Sequence, residues 1–169
     1  MNTDSHRFKY KETTDKTIRV FYEVYNELGH GFLESVYERS LEIALTSLDL
    51  KVCRQIQIPV WVRGKPVGDF TADMLVGSCV LLELKAARAL DSSHQAQLLN
   101  YLRATDIEVG LLLNFGLKPE FKRLIFDNLE RLCAQTRASR SARFWSPTLK
   151  LRTPPLHHNF GFLSVFICG

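Results

Sequence analysis

The run VGLLLNF, residues 109–115, constrains the fold of this chain more than any other stretch. Its apolar residues are nearly continuous, with neither the three-and-four spacing of an amphipathic helix nor the alternation of a half-buried strand. A short run of this kind is typical of a strand buried on both faces. Helical sequence to cover such a strand is found on its N-terminal side. IRVFYEVYNEL places Ile18, Phe21, Val24, Tyr25 and Leu28 three and four residues apart, behind Thr13, Thr14 and Asp15 as capping and first-turn candidates. Gly29 and Gly31 then punctuate the chain. A second helix is predicted from about Phe32 to Leu48, with Leu33, Val36, Tyr37, Ser40, Ala44 and Leu48 along one stripe.

From Lys51 the period changes to two. VCRQIQIPVWV alternates Gln55 and Gln57 with Ile56 and Ile58, and RGK before Pro66 signals a turn into a second strand, VGDFTADMLV. CVLLELKA reads as a third strand. Asp91, Ser92 and Ser93 offer N-caps for a helix of about three turns, SHQAQLLNYLRA, which leads into VGLLLNF. FKRLIFDNL is a last strand or a short helix, and pattern does not separate the two. The order predicts an α/β sandwich with a mixed sheet, without internal repeats.

The chain has 169 residues, 46% hydrophobic and 24% charged, enough for one domain with a real core. The opening MNTDSHRFKYKETTDK has no apolar signal region, and no run approaches the roughly 20 apolar residues needed to span a bilayer, so a cytoplasmic protein without membrane contact is expected. Cys53, Cys79, Cys133 and Cys168 form no C-x-x-C pair, which argues for reduced, mostly structural thiols over a zinc site or a disulfide framework. The net charge of +4 is unevenly spread: 16 Lys and Arg against 18 Asp and Glu up to residue 130 leave −2, whereas 6 basic residues and no acid follow from Arg131. The expected organisation is a domain over residues 1–130 and a basic, poorly ordered extension over 131–169, able to add sequence-independent affinity for phosphates.

Asp73, Glu83 and Lys85 stand inside the apolar strand sequence ADMLVGSCVLLELKA. Strand side chains alternate, so Glu83 and Lys85 share one face and Leu82 and Leu84 the other. Asp73 joins them if the hairpin loop has three residues, Gly77–Cys79, which pairs Asp73 with Glu83; a two-residue turn at Gly77 and Ser78 would pair it with Leu82 and separate the acids. The longer loop is predicted. Two neighbouring carboxylates require a cation or a proton. Mg²⁺ favours hard oxygen ligands, and Asp73, Glu83 and the Leu84 carbonyl are candidates, with the Lys85 ammonium beside the attacking water. That constellation fits phosphodiester hydrolysis. Without its context D-x₉-E-x-K is a weak motif and more commonly a solvated sheet face with a cross-strand ion pair.

The sequence resembles the PD-(D/E)XK nuclease superfamily, and within it the family called GxxExxY proteins. The naming motif stands as Gly31-Phe32-Leu33-Glu34-Ser35-Val36-Tyr37, and the likeness runs from about Thr17 to about Asp127. It departs in its Gly-His-Gly loop, where Gly-Pro-Gly is common. The resemblance implies a restriction-endonuclease-like αβββαβ core and a divalent-metal site. Asp73 and Glu83 would be metal ligands, Lys85 the catalytic lysine, and Glu34 the acid that completes the site. Glu34, Glu38 and Glu42 nonetheless recur as a solvent-facing acidic stripe would. Gln97 and Tyr101 match the Q-x-x-x-Y element of RecB-type members, and their spacing of four sets both on one helical face, to meet substrate or brace the lysine. His94 is also near that face. Tyr37 is expected to pack against the sheet.

The expected function is a Mg²⁺- or Mn²⁺-dependent nuclease acting on nucleic acid, with DNA favoured, and a homo-oligomer is not evident. The alternative is a nucleic-acid- or protein-binding module that keeps the fold without turnover. The intact acid, acid, lysine and glutamine set argues for the enzyme, because buried carboxylates cost stability without metal. The slightly acidic core, which shows no phosphate-binding stripe, counts against it.

Overall fold

The computed structural model describes residues 9–127. Its elements are α1 (Lys11–Leu28), α2 (Glu34–Thr46), β1 (Val52–Val62), β2 (Lys65–Val76), β3 (Val80–Lys85), α3 (Ser92–Ala104), β4 (Val109–Asn114) and β5 (Glu120–Ile125). The strands form one sheet in the order β1-β2-β3-β4-β5. All neighbours are antiparallel except β3 and β4, which run parallel and are joined through α3, as a parallel pair requires. This is the αβββαβ core of the restriction-endonuclease-like fold. The ambiguous segment after it resolves as β5, an edge strand. The expected domain boundary near residue 130 and the basic extension lie outside the described residues.

Every position of β4 is buried, as its unbroken apolar sequence requires. On one face of the sheet, Phe21 and Val24 of α1 and Tyr37, Leu41 and Leu45 of α2 pack with Met74, Leu82, Leu84, Leu111 and Leu113. On the other, α3 lies close to β4. A Cβ added at Gly110 would stand 2.9 Å from a methyl of Leu98. Beyond β4 the chain presses still harder on the end of β3. Phe115 N–H donates to the Lys85 carbonyl at 2.7 Å, and the Asn114 side chain bonds both the N–H and the carbonyl of Ala87 at 3.0 Å. A Cβ at Gly116 would sit 2.0 Å from the Ala87 carbonyl oxygen, so only glycine fits there. The exit of β3, which carries Glu83 and Lys85, is thereby fixed.

Several local readings shift. Helix α1 starts at Lys11, behind a left-handed Tyr10 (φ 53°), with no side-chain cap from the threonines. Helix α2 starts at Glu34 and buries Tyr37, Glu38, Leu41 and Leu45. Leu33 of the expected stripe is 76% exposed. The helix is turned by two contacts invisible to its own periodicity: Tyr37 stacks on Phe115 at 4.1 Å, and Glu38 pairs with Arg54 of β1 at 2.8 Å. Of the described cysteines, Cys79 is free as expected.

Candidate active site

The β2–β3 loop has three residues, Gly77–Cys79, closed by Cys79 N–H donating to the Val76 carbonyl at 3.1 Å. Its ladder pairs Val76 with Val80, Leu75 with Leu81 and Met74 with Leu82. The same register, continued one step, sets Asp73 against Glu83. Asp73 Oδ2 confirms the approach by accepting the Leu84 N–H at 2.7 Å. The side chain of Leu84 meanwhile enters the core.

Glu83 is 2% exposed. Its Oε1 accepts from Lys85 Nζ at 2.6 Å, while its Oε2 is buried with no hydrogen-bond partner. Burial, and after it the charge of Asp73, pushes the Glu83 carboxyl up to about 7 despite the lysine. Burial also raises Asp73, against the Leu84 N–H and Lys85, with Glu38 and Glu34 adding to the rise. For Lys85 burial alone would lower the ammonium, but the hydrogen bond and charge of Glu83, with Glu34 and Asp73 behind it, hold it above its ordinary value. The site carries an excess of negative charge that one lysine does not cancel.

A pH dependence follows. Between pH 4.5, the ordinary value, and about 7, the folded protein keeps a proton on Glu83 that the unfolded chain has released. Folded-state proton binding therefore exceeds that of the unfolded state, and stability falls as pH rises through this window, by up to about 3 kcal/mol. Urea unfolding of the metal-free protein is expected to show a higher midpoint at about pH 5 than at about pH 7.5. In Glu83→Gln the difference should shrink by most of that amount; an unchanged difference would place the Glu83 carboxyl elsewhere.

Glu34 is exposed at the first turn of α2, where its Oε1 accepts the Ala86 N–H at 3.2 Å, one residue beyond Lys85. Its charge reaches Asp73, Glu83 and Lys85. Among the described residues, however, no group of three or more His, Cys, Asp or Glu side chains is gathered as a ready metal cage. The part brought together is Asp73, Glu83 and Lys85, with Glu34 at its margin. The alternative reading of Glu34, Glu38 and Glu42 as a solvent-facing stripe fails at Glu38. Glu38 is buried, accepting from Arg54 Nε at 2.8 Å and Gln55 Nε2 at 2.9 Å. Arg54 also holds Glu42 at 3.0 Å. This buried Glu38 acts on Asp73 and was missed. Its one signal was Arg54, a half-buried cation next to the buried Cys53 of β1.

On α3, Gln97 Nε2 donates to the Tyr101 hydroxyl at 2.6 Å, and that hydroxyl donates to the Thr71 carbonyl at 3.2 Å. Tyr101 is 3% exposed. The pair thus braces β2 two residues from Asp73, a position in which Tyr101 has little surface left to offer a substrate. Gln97 remains half-buried beside it. His94 belongs to the helix cap. Asp91 accepts the His94 N–H at 3.1 Å while His94 Nδ1 accepts the Asp91 N–H at 3.2 Å.

The donor set fits a hard divalent cation. A buried carboxylate oxygen without a partner, on an acid raised by its neighbour acid, is what a cation would satisfy. Asp73 and Glu83 are the residues that would hold it.

A family model described as the PD-(D/E)XK nuclease superfamily matches residues 11–124. No curated protein matches the sequence. Among solved structures, the chain is similar to SSO0001, with a TM-score of 0.44 and 19% identity over 80% of this chain and 70% of that one. It is also similar to an alkaline exonuclease (LHK-Exo) from Laribacter hongkongensis, with a TM-score of 0.42 and 15% identity over 65% of this chain and 62% of that one.

Proposed function

The chain belongs to the PD-(D/E)XK nuclease superfamily, and from that premise we propose that it hydrolyses phosphodiester bonds in nucleic acid, DNA by preference, with Mg²⁺ or Mn²⁺ on Asp73 and Glu83. The observation that carries this reading is the unpartnered, buried Glu83 Oε2, beside Asp73 and within one side chain of a protonated lysine. The motif Gly31 to Tyr37 supports placement among the GxxExxY proteins.

When bound, the cation supplies Lewis-acid charge and a more acidic water. The protein's own groups do the rest. Asp73 and Glu83 give the oxygens, with the Leu84 carbonyl and Glu34 as further donors. Lys85, kept charged by its acid neighbours, orients the attacking water and offsets the negative charge that builds on the phosphate. Gln97 and Tyr101 keep β2, and so Asp73, in register. A non-catalytic binding module would bind without cutting.

Purified protein is to be assayed on DNA and RNA with Mg²⁺, Mn²⁺ or chelator, and titrated with Mn²⁺ by calorimetry. Cleavage is expected only with metal. Asp73→Asn should weaken Mn²⁺ binding by at least about tenfold. Binding of polymer without turnover would establish the module instead, and an Asp73→Asn titration identical to wild type would remove Asp73 from the ligands.

A further inference from the structure

The β1–β2 hairpin continues well past the part that packs on the core. Every residue of β2 from Lys65 to Thr71 is exposed, and the opposing end of β1, from Pro59 to Val62, is exposed or half-buried. Six residues at roughly 3.3 Å each make an arm of about 20 Å between Thr71 and the tip. The tip is a two-residue turn, Arg63 (φ 51°) and Gly64 (φ 75°), closed by Val62 pairing with Lys65. Both central residues are left-handed, as the tight hairpin turn that follows strand twist demands. The turn thus holds two cations, Arg63 and Lys65, at the extremity, and the nearest acid on the arm is Asp69.

Large apolar side chains that a packed domain would bury stand out along this arm: Val62, Val67 and Phe70 are 37–61% exposed. Isolated exposed residues need no account, but a run of them on a projecting ribbon marks an interaction surface. Its root is the active site. Phe70 packs against Tyr101 with ring centroids 5.4 Å apart, and Asp73 follows two residues after Thr71 on the same strand. The site itself is acidic and repels phosphates, so a strand entering it gains from cations held at a distance. Aromatic faces stack on unpaired bases of any sequence.

We propose that this arm grips the nucleic-acid strand leading out of the cleavage site, with Arg63 and Lys65 on phosphates and Phe70 against a base. The inference rests on the nuclease reading and adds to it a substrate that runs about 20 Å past the scissile step, about six nucleotides at the stacked spacing of 3.4 Å per phosphate and fewer in a stretched strand.

The test is Arg63→Asn/Lys65→Gln, because asparagine accepts the left-handed turn position. Affinity for labelled single strands of about 20 and about 6 nucleotides is measured by anisotropy with chelator present, over a range of salt, with cutting followed separately in Mn²⁺. The variant is expected to bind the long strand about tenfold more weakly, with the slope of log K against log salt reduced by about 1.4 for two lost phosphate contacts. The loss should shrink on the short strand. If wild type binds and cuts while the variant matches its affinity and slope, the arm has no such role and the nuclease reading stands. If the variant's one change is a dimer becoming a monomer in size-exclusion chromatography, the arm is a protein contact and the inference falls. If wild type neither binds nor cuts, both readings fall. Should the double variant melt early, Lys65→Gln alone carries the comparison.

Discussion

Lys85→Ala is expected to cut single-turnover cleavage by about 10²- to 10⁴-fold while metal binding persists. The two effects separate because the lysine and the ligands have different tasks. The ammonium sits 2.6 Å from Glu83 Oε1, where it competes with any cation for the same carboxylate. Removing it frees the Glu83 oxygens of that competitor but lets the carboxyl hold its proton more firmly, so Mn²⁺ measured by calorimetry well above neutral pH, where the carboxyl is ionised, should bind at least as tightly as in wild type. The transition state, by contrast, loses a charge that no neighbour replaces. The metal-free variant should also be less stable, since Glu83 then lacks its one hydrogen-bond donor. Cleavage that survives the substitution would reduce Lys85 to the partner of an ion pair.

The largest expected loss of stability is at Tyr37. The side chain is fully buried, stacked on Phe115 at 4.1 Å and 13° and met by the edge of Phe32 at 6.2 Å. Its hydroxyl donates to the Gly29 carbonyl at 2.9 Å and accepts the Phe32 N–H at 3.3 Å, bracketing the loop that launches α2 and with it Glu34. Tyr37→Ala empties that space at a cost of about 3–5 kcal/mol, a large share of the 5–15 kcal/mol typical of a domain. Tyr37→Phe keeps the ring and forfeits the two bonds, for about 1–3 kcal/mol. Urea unfolding with both variants tells packing from hydrogen bonding. Equal losses would mean that the hydroxyl, not the ring, carries the residue.

Features dictated by a few adjacent residues were legible before any coordinates. β4 had to be covered on both sides because no polar residue interrupts it until Asn114. The cap of α3 was narrowed to Asp91, Ser92 or Ser93, and Asp91 takes it because its carboxylate reaches forward to accept the Ser93 N–H. The meeting of Asp73 and Glu83 followed from strand alternation once the loop length was chosen. What escaped depends on partners distant in the chain. The phase of α2 is set by Phe115 and Arg54, and neither leaves a mark in the helix's own spacing. Glu38 therefore looked solvated. Tyr101 shared a helical face with Gln97 as expected, but only the approach of Thr71 tells that its hydroxyl is already engaged. Alternation in β1 and β2 is the same whether the ribbon lies on a core or in water, so the projecting arm was read simply as two strands.

The three-residue loop between β2 and β3 makes the acid pair a matter of odd and even. Antiparallel neighbours meet when their numbers share a fixed sum, and one residue more or less between Val76 and Val80 changes that sum by one. The hydrophobic seam would survive on a compromise register, whereas the two carboxyls would turn their backs on each other. A changed letter in Gly77–Cys79 strains the turn, where Gly77 and Ser78 are both left-handed (φ 58°), but leaves the pairing of the acids in place; a changed count does not.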